Sequence, residues 1–196
     1  MRLFQKLKVV AELLRPYDGY YAVCGGIAAC LYRETPRYTG DIDIALVNPP
    51  GRSAKEVACG IIEQLGYAPK FGFITNQNGM LINEVALVAG REDKHDGFVG
   101  IDLMLPVLEW IEEAVTRAQL NKLDYGFGLM ATVLPEDLIV AKLFAYQGTP
   151  GRKNDLDDIL SIIANMKDLN RELLSKLIDQ HKLTVPQEVA TKLDQV

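Results

Sequence analysis

The residue pattern of this chain predicts an α/β (α+β) fold: a mixed-sheet core followed by a C-terminal helical region. Two observations carry that expectation. Up to about residue 134, short apolar runs with strand character alternate with helical patterns and polar turns. From Pro135 onward every segment carries helical spacing. The expected domains are therefore a core over 1–134 and a helical region over 135–196. At 196 residues the chain is long enough for one good core, or a main domain plus a small appendage.

The elements follow in order. Leu3, Leu7, Val10 and Leu14 share a helical face, and Pro16 ends that helix. Tyr20–Cys24 is a short strand, and Gly25–Arg33 a helix of small residues that can pack closely against it. The RETPRYTG stretch is a loop, and Asp41–Val47 is a strand. Asn48–Arg52, with two prolines and a glycine, is a turn. It leads into a helix over Ser53–Leu65 with Ser53 as N-cap. Lys70–Thr75, Met80–Ala89 and Phe98–Leu105 form an antiparallel meander broken by the polar turns NQNG and GREDKHDG. Val107–Leu120 is helical, and Leu129–Leu134 is a last strand. Four helices close the chain: Pro135–Tyr146, Asn154–Met166, Asn170–Gln180 and Pro186–Leu193. Pro135 suits the first helical position, and the acids after it favour a helix start.

Composition excludes several classes. No apolar run approaches the roughly 20 residues that span a bilayer, and the N-terminus has no signal-peptide core, so no membrane association is expected. Three cysteines (Cys24, Cys30, Cys59) in apolar settings read as reduced core residues of a cytoplasmic protein. Two histidines, His95 and His181, lie far apart and without cysteine neighbours, which argues against a zinc site. The net charge of −5 disfavours indiscriminate nucleic-acid binding and leaves room for a local basic surface.

Chemistry concentrates in YAVCGGIAACLYRETPRYTGDIDIAL, residues 21–46. A strand with carboxylates at i and i+2 aims both at one side. Asp41 and Asp43 would then repel each other and resist desolvation, and a divalent cation removes the conflict. Asp102 lies in FVGIDLML without another charge in its strand; a buried acid there needs a partner or a metal. If its strand lies beside Asp41–Val47, Asp102 joins the same cluster, which suits two Mg²⁺ ions and a phosphoryl-type transfer. Gly25 and Gly26 stand where a strand turns into a helix, and glycine there lets the backbone come close to phosphate. A tight turn would explain the pair equally well.

These residues resemble the signature of polymerase-β-type nucleotidyltransferases: a hydrophobic residue, Gly-Gly or Gly-Ser, a spacer, then Asp-hydrophobic-Asp-hydrophobic. The Arg-X-Thr-X-Asp form met by Arg37, Thr39 and Asp41 is most similar to AbiE-type (AbiEii-like) toxin nucleotidyltransferases. PEDLIVAKLFAYQGTPGRKNDLDDI resembles a later motif of that group through Pro135, Glu136, Asp137, Lys142, Arg152, Asp155 and Asp158. The resemblance implies Mg²⁺ (two ions) held by Asp41, Asp43 and Asp102, and an NTP substrate bound with Gly25, Gly26, Arg37, Thr39 and Lys142. It implies transfer of NMP to an acceptor hydroxyl, with Asp155 as a candidate general base. By residue type, Asp155 and Asp158 are three apart and share a helix face, so one of them could act as a base, but capping of the helix by Asp155 or a structural pairing is the safer reading. The acceptor is expected to be RNA, foremost tRNA, or protein, in a toxin–antitoxin setting with a possible cognate antitoxin. A small-molecule enzyme of the aminoglycoside or lincosamide kind is the alternative, and a non-catalytic nucleotide-binding module a third reading. An RNA acceptor would require a basic surface, with Arg33, Arg37, Lys142, Arg152 and Lys153 as candidates.

Overall fold

The computed structural model describes residues 2–77, 80–91, 99–149 and 151–195. His95, the Phe98 strand start and parts of the NQNG and GREDKHDG turns lie outside these. The chain divides into two compact units: Met1–Ile27 with Thr39–Val133, and Ala28–Tyr38 with Leu134–Val196.

The first unit is built on a five-stranded sheet. Its strands are β1 (Tyr21–Cys24), β2 (Asp41–Leu46), β3 (Pro69–Gln77), β4 (Met80–Gly90) and β5 (Gly100–Met104), in the order β1-β2-β5-β4-β3. Only β2 and β5 run parallel; the other three neighbouring pairs are antiparallel, so β3, β4 and β5 form the expected meander. The α-helices α1 (Arg2–Leu14), α3 (Ala54–Gln64) and α4 (Ile111–Ala118) belong to this unit, and α2 (Gly25–Tyr32) begins in it. Period-two alternation sorts β2 and β5 into two faces. Ile42, Ile44, Ile101 and Leu103 are fully buried in a cluster with Leu7, Val10 and Leu14 of α1 and Ile61 and Ile62 of α3. Each such side chain removed from water contributes roughly 1.5–3 kcal/mol. The alternate positions, Asp41, Asp43 and Asp102, are left on the other face.

Local signals act as expected at α3. Ser53 accepts the Glu56 N–H and Glu56 reaches back to the Ser53 N–H, a closed capping box. The expected last strand is β7 (Leu129–Ala131), and the sequence reading missed its hairpin partner, β6 (Lys122–Asp124). A three-residue strand with one apolar residue gives no periodicity to read. Its turn is nevertheless specified: Asp124 accepts the Gly126 N–H at 2.8 Å, and Gly126 takes φ +80°. Helix α4 is shorter than the expected 107–120, because Pro106 to Trp110 form turns before it.

The second unit comprises α5 (Pro135–Gly148), α6 (Lys153–Asn165), α7 (Arg171–Gln180) and α8 (Gln187–Gln195), with the end of α2. Leu138, Ile139, Leu143, Ile159, Ile162, Leu174, Leu177 and Val189 are among its buried apolar positions. The Pro-Glu-Asp-Leu start of α5 has a structural account. Pro135 occupies the first turn, and the buried Glu136 accepts the Asn170 N–H at 2.5 Å. Asn170 in turn caps α7 by accepting the Leu173 N–H at 3.0 Å. Burial pushes the Glu136 carboxyl above its ordinary value, and the Asn170 hydrogen bond partly offsets this.

Candidate active site

The parallel β2–β5 pairing decides where the acids go. Asp43 stands directly opposite Asp102, and Asp41 opposite Gly100. Paired residues on neighbouring strands point to the same side, so all three carboxylates share one face of the first unit. The sequence alone made this conditional on β5 lying beside β2.

Close approach governs the rest of the local sequence. Gly25 takes φ +60°, and a Cβ there would run into the Asp43 carboxylate. The Gly26 N–H, in the first turn of α2, donates to Asp43 Oδ2 at 3.2 Å. A Cβ on Gly26 would collide with the Thr39 hydroxyl. The glycine pair thus makes room for Asp43 and Thr39, a requirement separate from the phosphate approach expected of it. Gly100 plays the same part for Asp41, whose carboxylate fills the space that a Cβ would take.

Arg91, immediately after β4, was missed by the sequence reading because it sits at the start of what reads as a polar turn. Its Nη2 donates to both oxygens of Asp102 at 2.7 Å, and its Nη1 lies 3.4 Å from Asp41 Oδ1. The available signal was the meander itself, since β4 pairs antiparallel with β5 and Gly90 faces Ile101. An acid in an apolar strand needs a partner, and the neighbouring strand's end was the place to look. Burial pushes the Asp102 carboxyl above its ordinary value; the Arg91 charge opposes this and the Asp41 charge adds to it.

The donor set suits Mg²⁺ in kind: three carboxylates, hard oxygen ligands on one face. Among the described residues, no group of three His, Cys, Asp or Glu side chains is arranged to hold a metal ion as it stands. Asp102 engages Arg91 with both oxygens instead. The carboxylates already accommodate one cation, the Arg91 guanidinium, which is the electrostatic need a metal would meet.

The remaining expected site residues belong to the second unit, where they pair with one another. Lys142, buried, lies 3.0 Å from Asp155 Oδ1 and 2.7 Å from Asp158 Oδ2. Arg37 donates to Asp158 twice, at 2.8 and 2.5 Å. Arg33 pairs with Asp158 and, at 2.8 Å, with Asp157. Arg152 pairs with Asp155. Asp155 does not cap α6, whose N-cap is Arg152. It is buried with both oxygens engaged by cations. Asp158 is the hub. Burial alone would push its carboxyl up, but the hydrogen bonds from Arg37 and the charge and hydrogen bonds of Lys142 and Arg33 prevail and hold it at about 2.

This architecture is the nucleotidyltransferase fold. A nucleotidyltransferase-like antigenic protein from Paracoccidioides brasiliensis superposes over 98% of this chain and 92% of its own, at 19% identity and a TM-score of 0.53. The antibiotic-resistance factor ANT(2″)-Ia superposes with a TM-score of 0.54 in its solution structure, at 17% identity over 92% of this chain and 91% of its own. Its crystal structure with adenylyl-2″-tobramycin gives the same TM-score at 15% identity, over 93% of this chain and 98% of its own. No protein-family model and no curated protein matches the chain in sequence. The likeness is one of fold.

Proposed function

We propose that this protein is a Mg²⁺-dependent nucleotidyltransferase that moves NMP from an NTP to an acceptor hydroxyl. The observation that carries the reading is the register of β2 against β5, which sets Asp43 opposite Asp102 with Asp41 on the same face. Asp41, Asp43 and Asp102 would hold the metal. Bound there, Mg²⁺ would neutralise triphosphate charge and make the acceptor hydroxyl a better nucleophile. In the reaction the acceptor oxygen forms a bond to the α-phosphorus, the bond to the β-phosphate bridging oxygen breaks, pyrophosphate leaves, and the hydroxyl proton passes to solvent. The chain's part is positional. Gly25 and Gly26 seat Asp43 against the start of α2, and Gly100 seats Asp41. Geometry fixed before the reaction is what such sites contribute.

The acceptor separates two readings. RNA, as the resemblance to toxin nucleotidyltransferases implies, calls for cations available to phosphate. Of the five candidates, Arg33, Arg37, Lys142 and Arg152 pair with Asp155, Asp157 or Asp158 within the second unit. That pairing favours a small hydroxyl-bearing acceptor, and the adenylylated tobramycin of a fold neighbour supports the same choice. RNA transfer, with its cognate antitoxin, is the second reading. The roles that the resemblance gives Arg37, Lys142 and Asp155 are a separate part of the proposal. A folded Lys142→Met protein with undiminished NTP affinity would remove Lys142 from it.

The test is incubation with each α-labelled NTP and Mg²⁺ against aminoglycosides, total RNA and protein in parallel. Label on an aminoglycoside supports the first reading, and label on RNA the second. Absence of labelling with every acceptor counts against the enzyme.

A further inference from the structure

We propose that Arg91 is a resident counter-cation of the carboxylate face, which a divalent ion displaces from Asp102 and Asp41 in order to bind. This rests on the metal-site reading above and assigns a role to a residue outside it.

The fold places Arg91 for this purpose. Strand β4 delivers it at the point where Gly90 has just paired with Ile101, beside the Gly100 position of β5. Gly100 has no Cβ, and a Cβ there would fall 2.8 Å from Arg91 Nη1 and also against Asp41. The space that lets the guanidinium reach Asp41 therefore exists because residue 100 is glycine. Both oxygens of Asp102 accept from Nη2 at 2.7 Å, while the contact to Asp41 is longer, at 3.4 Å. Without a cation, Asp41 and Asp102 repel each other; with Arg91 in place they coexist.

Two features make the arrangement a displaceable one. The Arg91 side chain is 42% exposed and that of Asp41 50%, so the guanidinium can swing into water, and the charge it leaves on Asp102 is the one the incoming ion takes up. Asp102 is the less exposed partner at 17%, and it is the one whose oxygens are both engaged. An ion that takes an oxygen of Asp102 must compete with a charge-assisted hydrogen bond. A guanidinium brings one delocalised charge to the carboxylates, whereas a divalent ion concentrates two, so the ion gains more from the same pair of acids. Arg91 is accordingly a positioning residue, acting on the metal through the carboxylates it holds.

The experiment is titration of Mn²⁺ alone, without nucleotide, into wild-type protein, Arg91→Gln, Arg91→Lys and Asp43→Asn. Calorimetry and the paramagnetic resonance of free Mn²⁺ read the affinity, and circular dichroism checks the fold. Arg91→Gln should bind Mn²⁺ on the order of tenfold more tightly, since loss of the competing cation is felt directly in the apparent constant. Arg91→Lys should fall between, because an ammonium is a point charge without the fork; it also keeps the test open should Arg91→Gln fold poorly. Without metal, Arg91→Gln should melt below wild type and should gain more from added Mn²⁺. Equal or weaker Mn²⁺ affinity in both Arg91 variants, with binding still lost in Asp43→Asn, would overturn the displacement proposal while leaving the metal site standing. Absence of Mn²⁺ binding in every folded variant would overturn both.

Discussion

At Asp43 the backbone and the side chain depend on each other. The Gly26 amide donates to Oδ2, and the carboxylate fills the space where Gly25 would carry a Cβ. Asp43→Asn keeps the size and one acceptor, so the protein should fold normally while Mg²⁺-dependent transfer falls by several orders of magnitude, as loss of a metal-ligating charge does. Circular dichroism and turnover on the same preparation check both halves. Gly25→Ala is predicted to be worse for the fold than for any single contact. It places a side chain at φ +60°, worth roughly 1–2 kcal/mol by itself, and pushes Asp43 aside as well. Urea denaturation should show a loss beyond that figure, and a neutral outcome would mean that Asp43 has another place to go. At this scale the acids were legible because a charge in an apolar strand is conspicuous. Arg91 was not, since an arginine in a polar turn looks like any surface residue until the register of β4 against β5 is known.

Among the elements, the strands and helices that carry periodicity were legible, as was the capping of α3 by Ser53. Strand β6, too short to have a period, was not, and with it the β6–β7 pairing. The partner of β2 was a condition in the sequence, because strand order depends on tertiary packing that no local pattern encodes. The helices of the second unit also show charges of the later motif taken up in pairing with one another. Lys142, Arg37 and Arg33 meet on Asp158, which joins α5, α6 and the 28–38 segment through hydrogen bonds that no spacing rule foretells. Asp158→Ala leaves buried and half-buried cations without their shared carboxylate and should cost on the order of 3–5 kcal/mol. The pH dependence has a definite sign. The folded carboxyl is held at about 2 against an ordinary 3.8, so its contribution is complete above the ordinary value and disappears as pH falls from about 4 to about 2. Wild-type urea midpoints should drop across that window, and Asp158→Asn should be less stable at neutral pH with a flatter acid limb. Parallel acid limbs in the two proteins would show that Asp158 does not carry the linkage.

For the whole molecule the proposed reaction turns on which acceptor would receive the nucleotide. The net charge of −5, together with four candidate cations paired to aspartates, favours a compact and cationic acceptor over a polyanion. A small acceptor should be labelled with mild dependence on ionic strength. An RNA acceptor gripped through several phosphates would lose about 0.7 log units of affinity per contact for each tenfold rise in salt. Labelling repeated from low to high salt distinguishes the two, and Arg152→Glu with Lys153→Glu should leave aminoglycoside labelling intact. The most direct measurement of all follows the α-phosphorus. Wild-type protein and Asp43→Asn are given an α-labelled NTP, Mg²⁺ and the mixed acceptors, and both pyrophosphate and labelled product are counted. Wild type should release pyrophosphate in step with labelled acceptor, while folded Asp43→Asn gives neither. Equal transfer by the two proteins would contradict an active site on the Asp41, Asp43 and Asp102 face.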